Sequence, residues 1–331
     1  MITTKPHLAA IAERLTSRGR GILAADESIT TMSQRLRDAG VEATETSRRD
    51  YRQLLLTAPG LSAYVSGIIL SDETFGQTLS DGRTFPDAAH ELGILPGIKV
   101  DTGTVPLPDG SGALITQGLD GLDERLASYA ERGAAFAKWR AVIDVATVTE
   151  DSLRANARAL AAYAAACQRH EVVPIVEPEV LATGEHELAA SASATRAGLT
   201  ALFEELRSAG VDLAGLVLKP NFVTPGLASR QVSATTVATV TWDVLRKTVP
   251  AEVTGIAFLS GGHPTHRVCA CLAALNEVPD VPWNLTFSFG RALVSDALAR
   301  WHGDPAMTTA AQEALLTNCA EAAASTAGLT A

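Results

Sequence analysis

Residues 173–180 read Val173-Pro-Ile-Val-Glu-Pro-Glu-Val180. An apolar run passing into carboxylates, set just after the alanine- and leucine-rich stretch from Leu153 to Cys167, has the length of a buried strand following a helix. The figure recurs at Gly21 to Asp26, Val65 to Leu70, Gly97 to Asp101, Ala135 to Ile143, Leu213 to Pro220, Gly255 to Gly262 and Trp283 to Gly290. Each run ends in charged or small residues and leads into an amphipathic or alanine-rich stretch. Eight such units, roughly thirty to forty-five residues apart and without a composition break, predict an α/β fold: a closed (β/α)₈ TIM barrel. The expected organisation is one barrel domain over residues 1–331, with an N-terminal helical extension and a C-terminal helical segment. An open doubly wound sheet is disfavoured, because no Gly-x-Gly-x-x-Gly turn follows a strand.

The composition agrees. Of 331 residues, 47% are hydrophobic, 19% charged and 5% aromatic, enough to bury a large core without disulfides or metal staples. Twenty-seven basic against thirty-seven acidic residues give a formal charge of −10, which argues against nucleic acid or an anionic membrane as partner. Any anionic ligand must find a local basic pocket. Cys167, Cys269, Cys271 and Cys319 are too few and too irregular for a disulfide framework, and a reducing cytoplasm suits them. The stretch from Met1 to Leu15 reads as a helix rather than a secretion signal, and no segment reaches the roughly eighteen apolar residues of a membrane span.

In such a barrel the reactive groups sit where strands end. Those positions hold Asp26, Lys99 and Asp101, Lys138 and Arg140, Glu177 and Glu179, Lys219, the Ser260-Gly261-Gly262 turn and Arg291. Three pairs are spaced i, i+2, so each pair points to one face of its strand. Any single pair could be a buried ion pair closing the barrel. The whole set is a poor candidate for that role, since burying so many ions costs several kcal/mol for each one left unpaired.

Lys219 is held at the mouth between Leu218 and Pro220. To attack a carbonyl its amine must lose a proton, which at neutral pH costs about 4–5 kcal/mol against an ordinary lysine. Partial burial and a neighbouring cation, with Lys138 and Arg140 two strands away, supply that kind of energy. An amine so activated forms a Schiff base. Glu177 and Glu179 lie on the strand between, where a carboxyl can move protons as a carbinolamine dehydrates. Which of them is the acid and which the orienter is open at this level, and both could simply be salt-bridged.

Ser260, Gly261 and Gly262 offer backbone N–H groups and Arg291 a charged fork, the parts of a phosphate site on the seventh and eighth loops. Ser28, Thr31, Arg35 and Lys99 form a second basic and hydroxyl set across the mouth, which suggests a substrate with a phosphate at each end. A competing constellation, His263, His266, Cys269 and Cys271, has metal-ligand residue types within nine residues. On the expected helix the two thiols rotate away from the imidazoles, so no metal and no cofactor is expected.

These segments resemble class I fructose-bisphosphate aldolase, the metal-independent Schiff-base family. The matching stretches include Gly19-Arg-Gly-Ile-Leu-Ala-Ala-Asp-Glu-Ser28, Gly97-Ile-Lys-Val-Asp101, Phe136-Ala-Lys-Trp-Arg140, Val173 to Glu179, Leu218-Lys-Pro-Asn221, Phe258-Leu-Ser-Gly-Gly262 and Trp283 to Leu293. The resemblance runs through nearly the whole chain except its far carboxyl end. It implies Lys219 as the Schiff-base lysine, Glu177 as the principal proton shuttle beside Glu179, Lys138 as an electrostatic partner and Asp26 as a carboxylate near the cleaved carbon. Arg291 and Ser260 to Gly262 would take the ketose 1-phosphate, with Arg140, Lys99, Ser28, Thr31 and Arg35 toward the other phosphate. The implied reaction is reversible cleavage of fructose 1,6-bisphosphate to dihydroxyacetone phosphate and glyceraldehyde 3-phosphate, in glycolysis and gluconeogenesis, by a cytoplasmic homotetramer.

Several residues depart from the family pattern: Ile29-Thr30-Thr31 after Ser28, Gln34 before Arg35, Thr102 after Asp101, and His263-Pro-Thr-His266 after the Gly-Gly turn. They raise an alternative, a Schiff-base aldolase of the same family acting on a different phosphorylated or unphosphorylated ketose and aldehyde pair. A non-catalytic sugar-phosphate binder is a weaker alternative, because no member of the lysine and glutamate set is missing. The animal enzymes end in a mobile tail whose terminal tyrosine assists enamine protonation. The last tyrosine here is Tyr163, so another group or water is expected to protonate the enamine.

Overall fold

The structure is a computed structural model and describes residues 5–327. Ten strands occur among them: β1 (Gly21–Ala25), β2 (Val65–Leu70), β3 (Leu95–Lys99), β4 (Thr104–Pro106), β5 (Leu114–Thr116), β6 (Phe136–Ile143), β7 (Val173–Val180), β8 (Val217–Leu218), β9 (Gly255–Phe258) and β10 (Asn284–Phe289). Eight close into a barrel in the order β1-β10-β9-β8-β7-β6-β3-β2, every neighbour parallel. This is the expected (β/α)₈ barrel. The remaining two, β4 and β5, pair as an antiparallel hairpin on the loop after β3.

Alternation along each strand separates two cores. Outward residues such as Trp139 pack on the helices, with the Trp139 and Tyr163 rings 5.5 Å apart. Inward residues Ile22, Ile69, Phe136, Ile175 and Val217 fill the lumen together with Leu8, Ala12 and Leu15 of the Pro6–Leu15 helix. That helix therefore plugs the amino-terminal end of the barrel and leaves the carboxyl ends to the polar groups. Gly97 is required here: a Cβ at this position would lie 2.2 Å from the Phe136 ring that fills the lumen.

Four details differ from the sequence reading. The expected strand Leu213 to Pro220 is a 3₁₀ turn, Leu213–Gly215, followed by only two paired residues. Asp212 accepts from the Ala214 N–H and starts the turn, and Pro220 has no N–H with which to prolong the ladder. β3 begins two residues earlier than expected, because Pro96 contributes its carbonyl, which accepts from Ala135 N–H at 2.9 Å. β9 stops at Phe258, where Gly261 and Gly262 turn the chain with φ of +56° and +85°. The hairpin was not expected at all; β4 is exposed throughout and shows no apolar alternation.

Candidate active site

Every candidate catalytic and phosphate-binding residue from the sequence lines one cavity of about 520 Å³ at the carboxyl ends of the strands, and the His263 to Cys271 set lies outside it. Asp26 follows β1, Lys99 ends β3, Lys138 and Arg140 lie on β6, Glu177 and Glu179 on β7, and Lys219 follows β8. Each i, i+2 pair does share the lumen face, and Trp139 between Lys138 and Arg140 points outward.

Lys219 is fixed from both sides. Its N–H donates to Val176 O at 2.8 Å, and the carbonyl of Pro220 accepts from Leu259 N–H at 3.0 Å. The side chain ends in a chain of alternating charges: Lys219 Nζ is 3.3 Å from Glu177 Oε1, Glu177 Oε2 is 2.8 Å from Lys138 Nζ, and Lys138 Nζ is 3.0 Å from Asp26 Oδ2. All four side chains are buried. Burial holds the Lys219 amine below the ordinary lysine range; Lys138 pushes it the same way, while Glu177 and Asp26 oppose. Of the two cations proposed as neighbours, Lys138 is the one that acts on it.

The other three members of the chain are held in their charged forms. Burial disfavours the charged form of Lys138, but Asp26 and Glu177 outweigh it and keep this ammonium firmly protonated. Burial likewise raises Asp26 and Glu177, yet Lys138 and Lys219 hold both carboxyls below their usual range. One lysine is thus tuned toward the free amine and its neighbour toward the cation, the division of labour that a nucleophile and an electrostatic partner need.

The flanks of the cavity are built for anions. Ser28 caps the Ile29–Asp38 helix by accepting from Thr31 N–H at 3.2 Å, and Arg35 lies on that helix. Lys99 pairs with Asp101, and Arg140 with Glu179. On the adjacent loop, after β10, which pairs with β1, Arg291 opens the Arg291–Trp301 helix and has no carboxylate partner among the described residues. It stands close to the Gly261–Gly262 turn: a Cβ on Gly262 would lie 3.3 Å from Arg291 Nη2. Backbone donors and a free guanidinium at one turn suit a phosphate.

Ile29, Thr30, Gln34 and Thr102 are not among the lining residues. Ile29 is exposed, and Gln34 donates to Asp38 at 2.8 Å on the outer face of its helix. His263 is buried with Nε2 3.2 Å from Thr224 Oγ1, while Cys269 and Cys271 lie in the core, where burial pushes their thiols up to about 12 and about 11. Among the described residues no group of three or more His, Cys, Asp or Glu is arranged to hold a metal. Tyr163 is buried behind β6 and β7, with its hydroxyl 3.3 Å from Ile175 O.

Three polar lining residues escaped the sequence reading, the exposed Thr104 on β4 among them. Ser288 on β10 is buried and its hydroxyl has no partner; its position two residues beyond Thr286 on a strand already recognised was the available signal. Glu27, beside Asp26, is bound by Arg35 and by Arg52, and only the tertiary structure reveals that pairing.

A closed parallel barrel with buried lysines and carboxylates gathered in a cavity at its mouth has the architecture of a (β/α)₈ enzyme, and comparison with known proteins makes it a carbon–carbon lyase. The family described as fructose-bisphosphate aldolase class I matches residues 7–330, and the chain belongs to that family. It is 46% identical over 313 residues to a fructose-bisphosphate aldolase of Drosophila melanogaster, covering 93% of this chain and 87% of the relative. It is 47% identical to the cytoplasmic isozyme of Cicer arietinum, covering 94% and 88%, and 46% identical to a probable class 1 enzyme of Xylella fastidiosa, covering 90% of each. Among solved structures, the aldolase of Plasmodium falciparum in complex with TRAP and a small-molecule inhibitor superposes with a TM-score of 0.96 at 40% identity, covering 98% of this chain and 95% of that one. The reaction is therefore the reversible cleavage of fructose 1,6-bisphosphate into dihydroxyacetone phosphate and glyceraldehyde 3-phosphate.

Proposed function

We propose that the cleavage runs through a Schiff base on Lys219. The observation that carries this reading is the buried Lys219 amine, 3.3 Å from Glu177 and depressed in basicity by burial and by Lys138. The free amine adds to the ketone carbon C2. Glu177, held between both lysines, takes up the proton that Lys219 gives up in becoming the free amine and returns it to the carbinolamine hydroxyl, which departs as water and leaves a protonated imine. Asp26 takes the proton of the C4 hydroxyl, the C3–C4 bond breaks, and its electrons move into the imine to give an enamine as the aldehyde departs. Protonation of the enamine carbon and hydrolysis release the ketone and regenerate Lys219. Lys138 supplies the fixed positive charge that keeps Asp26 and Glu177 ionised between steps.

In this reading Ser260, Gly261, Gly262 and Arg291 hold the C1 phosphate. Ser28, Thr31, Arg35, Lys99 and Arg140 face the distal phosphate, and Glu179 orients Arg140. The departures at Ile29, Thr30, Gln34 and Thr102 lie outside the cavity lining, which favours the bisphosphate over another ketose. A homotetramer in the cytoplasm follows from family resemblance, supported by the relative named cytoplasmic and by four cysteines that are free and buried; sedimentation of the purified protein checks the assembly. Replacing the nucleophile tests the chemistry. Lys219→Arg keeps the charge and cannot form an imine at neutral pH, so cleavage should fall by at least about 10³-fold while the fold persists. Cleavage retained by this variant contradicts the assignment.

A further inference from the structure

The carboxylate of Glu27 stands at the cavity wall between two guanidinium groups. One oxygen pairs with Arg35 Nη1, and the other lies 2.6 Å from Arg52 Nη2. Arg35 lines the cavity. Arg52 does not; it lies on the Glu45–Leu56 helix, is 2% exposed, and has its Nη1 buried without a partner. The environment fixes it firmly. Its guanidinium carbon is 5.9 Å from the centre of the Tyr51 ring, and the Tyr51 hydroxyl donates to Val294 O at 2.8 Å. Arg35 reaches the same helix at Ser295 Oγ, 3.4 Å away, and Ser295 donates to Arg291 O at 2.7 Å.

Charge explains why a second arginine is worth burying. A carboxylate in the wall of a phosphate site repels its ligand, and a one-to-one pair with Arg35 would leave the site neutral. Adding Arg52 gives the three side chains a net charge of one positive. Burying an arginine with an unused N–H costs several kcal/mol, and apolar packing at that point would stabilise the fold better, so stability alone is a poor account of it.

We propose that Arg52 is a positioning residue for the distal phosphate: it clamps Glu27, and Glu27 holds Arg35 at the cavity wall within a cluster of net positive charge. This rests on the reading that the distal phosphate lies at the Ser28 to Arg35 end of the cavity. Arg52 itself touches no substrate. Its effect is on how strongly a two-phosphate substrate is preferred over one with a single phosphate.

The experiment measures kcat and KM for fructose 1,6-bisphosphate and for fructose 1-phosphate, which lacks the distal phosphate, in Arg52→Gln, Arg52→Lys and Arg35→Met. The ratio of the two kcat/KM values does not depend on the folded fraction of a preparation, so partial misfolding leaves it readable. Arg52→Gln should lower the bisphosphate-to-monophosphate ratio about tenfold, through KM for the bisphosphate, and Arg52→Lys by about threefold because it keeps the charge and loses the fork. Arg35→Met should lower it at least as far as Arg52→Gln. A ratio unchanged in Arg52→Gln but lowered in Arg35→Met overturns the role of Arg52 and leaves the phosphate assignment standing. A ratio unchanged in Arg35→Met overturns the assignment itself and the proposal with it.

Discussion

Two lysines on neighbouring sides of one glutamate are driven in opposite directions, and this contrast has a measurable consequence. Lys219 must be a free amine to act, so activity is lost as pH falls and the amine protonates. Lys138 lowers the Lys219 value and Glu177 raises it. Removing the cation in Lys138→Met should therefore move the acidic limb of kcat/KM to higher pH, and removing the anion in Glu177→Gln should move it to lower pH. Each change should also cut kcat by roughly 10²–10⁴-fold, the usual weight of an acid–base or electrostatic group. Limbs that shift together in both variants would show that Lys219 does not titrate in this cluster. The cluster was legible in the sequence because period two converts Lys138-x-Arg140 and Glu177-x-Glu179 into shared faces. The clamp on Glu27 was not legible: Arg52 lies on a different helix, and no spacing rule links the two residues.

At the scale of the element, the sequence reveals a strand when an apolar run meets charged residues at a well-defined end. β2 and β7 begin and end where the pattern places them. β8 departs because its apolar run is shared between a side-chain-capped turn and two ladder residues, and apolar content alone does not distinguish them. The β4–β5 hairpin is set by the turn around Gly110 and Gly112, both at positive φ, rather than by patterning. Within β3 the demand on Gly97 comes from β6, far along the chain, whose Phe136 occupies the space of its missing side chain. Gly97→Ala should destabilise the protein by about 1–3 kcal/mol through overpacking, and Phe136→Leu in the same chain should recover part of that loss. Thermal unfolding of the single and double variants checks it; an unchanged midpoint for Gly97→Ala would contradict the packing.

Across the whole molecule the barrel divides its two ends between stability and chemistry. The Pro6–Leu15 helix closes the amino-terminal end, with Leu8, Ala12 and Leu15 fully buried and Leu15 O accepting from Ser66 Oγ at 2.7 Å. Leu15→Ala should cost about 2–5 kcal/mol in denaturant unfolding and leave kcat for the bisphosphate unchanged, because the plug and the charged mouth are opposite ends of one lumen. A large fall in kcat with unchanged stability would overturn that division. Fold class and family could be read from strand count and strand-end residues, since both are repeated many times along the chain. The pairing among those charges required the closed barrel, because the order of strands around it brings Asp26, just past the first strand, to Lys138 on a distant one. The central claim is that one amine, Lys219, carries the substrate covalently. Sodium borohydride added with dihydroxyacetone phosphate, followed by proteolysis and peptide mass mapping, tests it most directly. The account predicts one reduced adduct per chain, on the peptide containing Lys219, with loss of activity in proportion to labelling. An adduct on Lys138 or Lys99, or none at all in active enzyme, would contradict it.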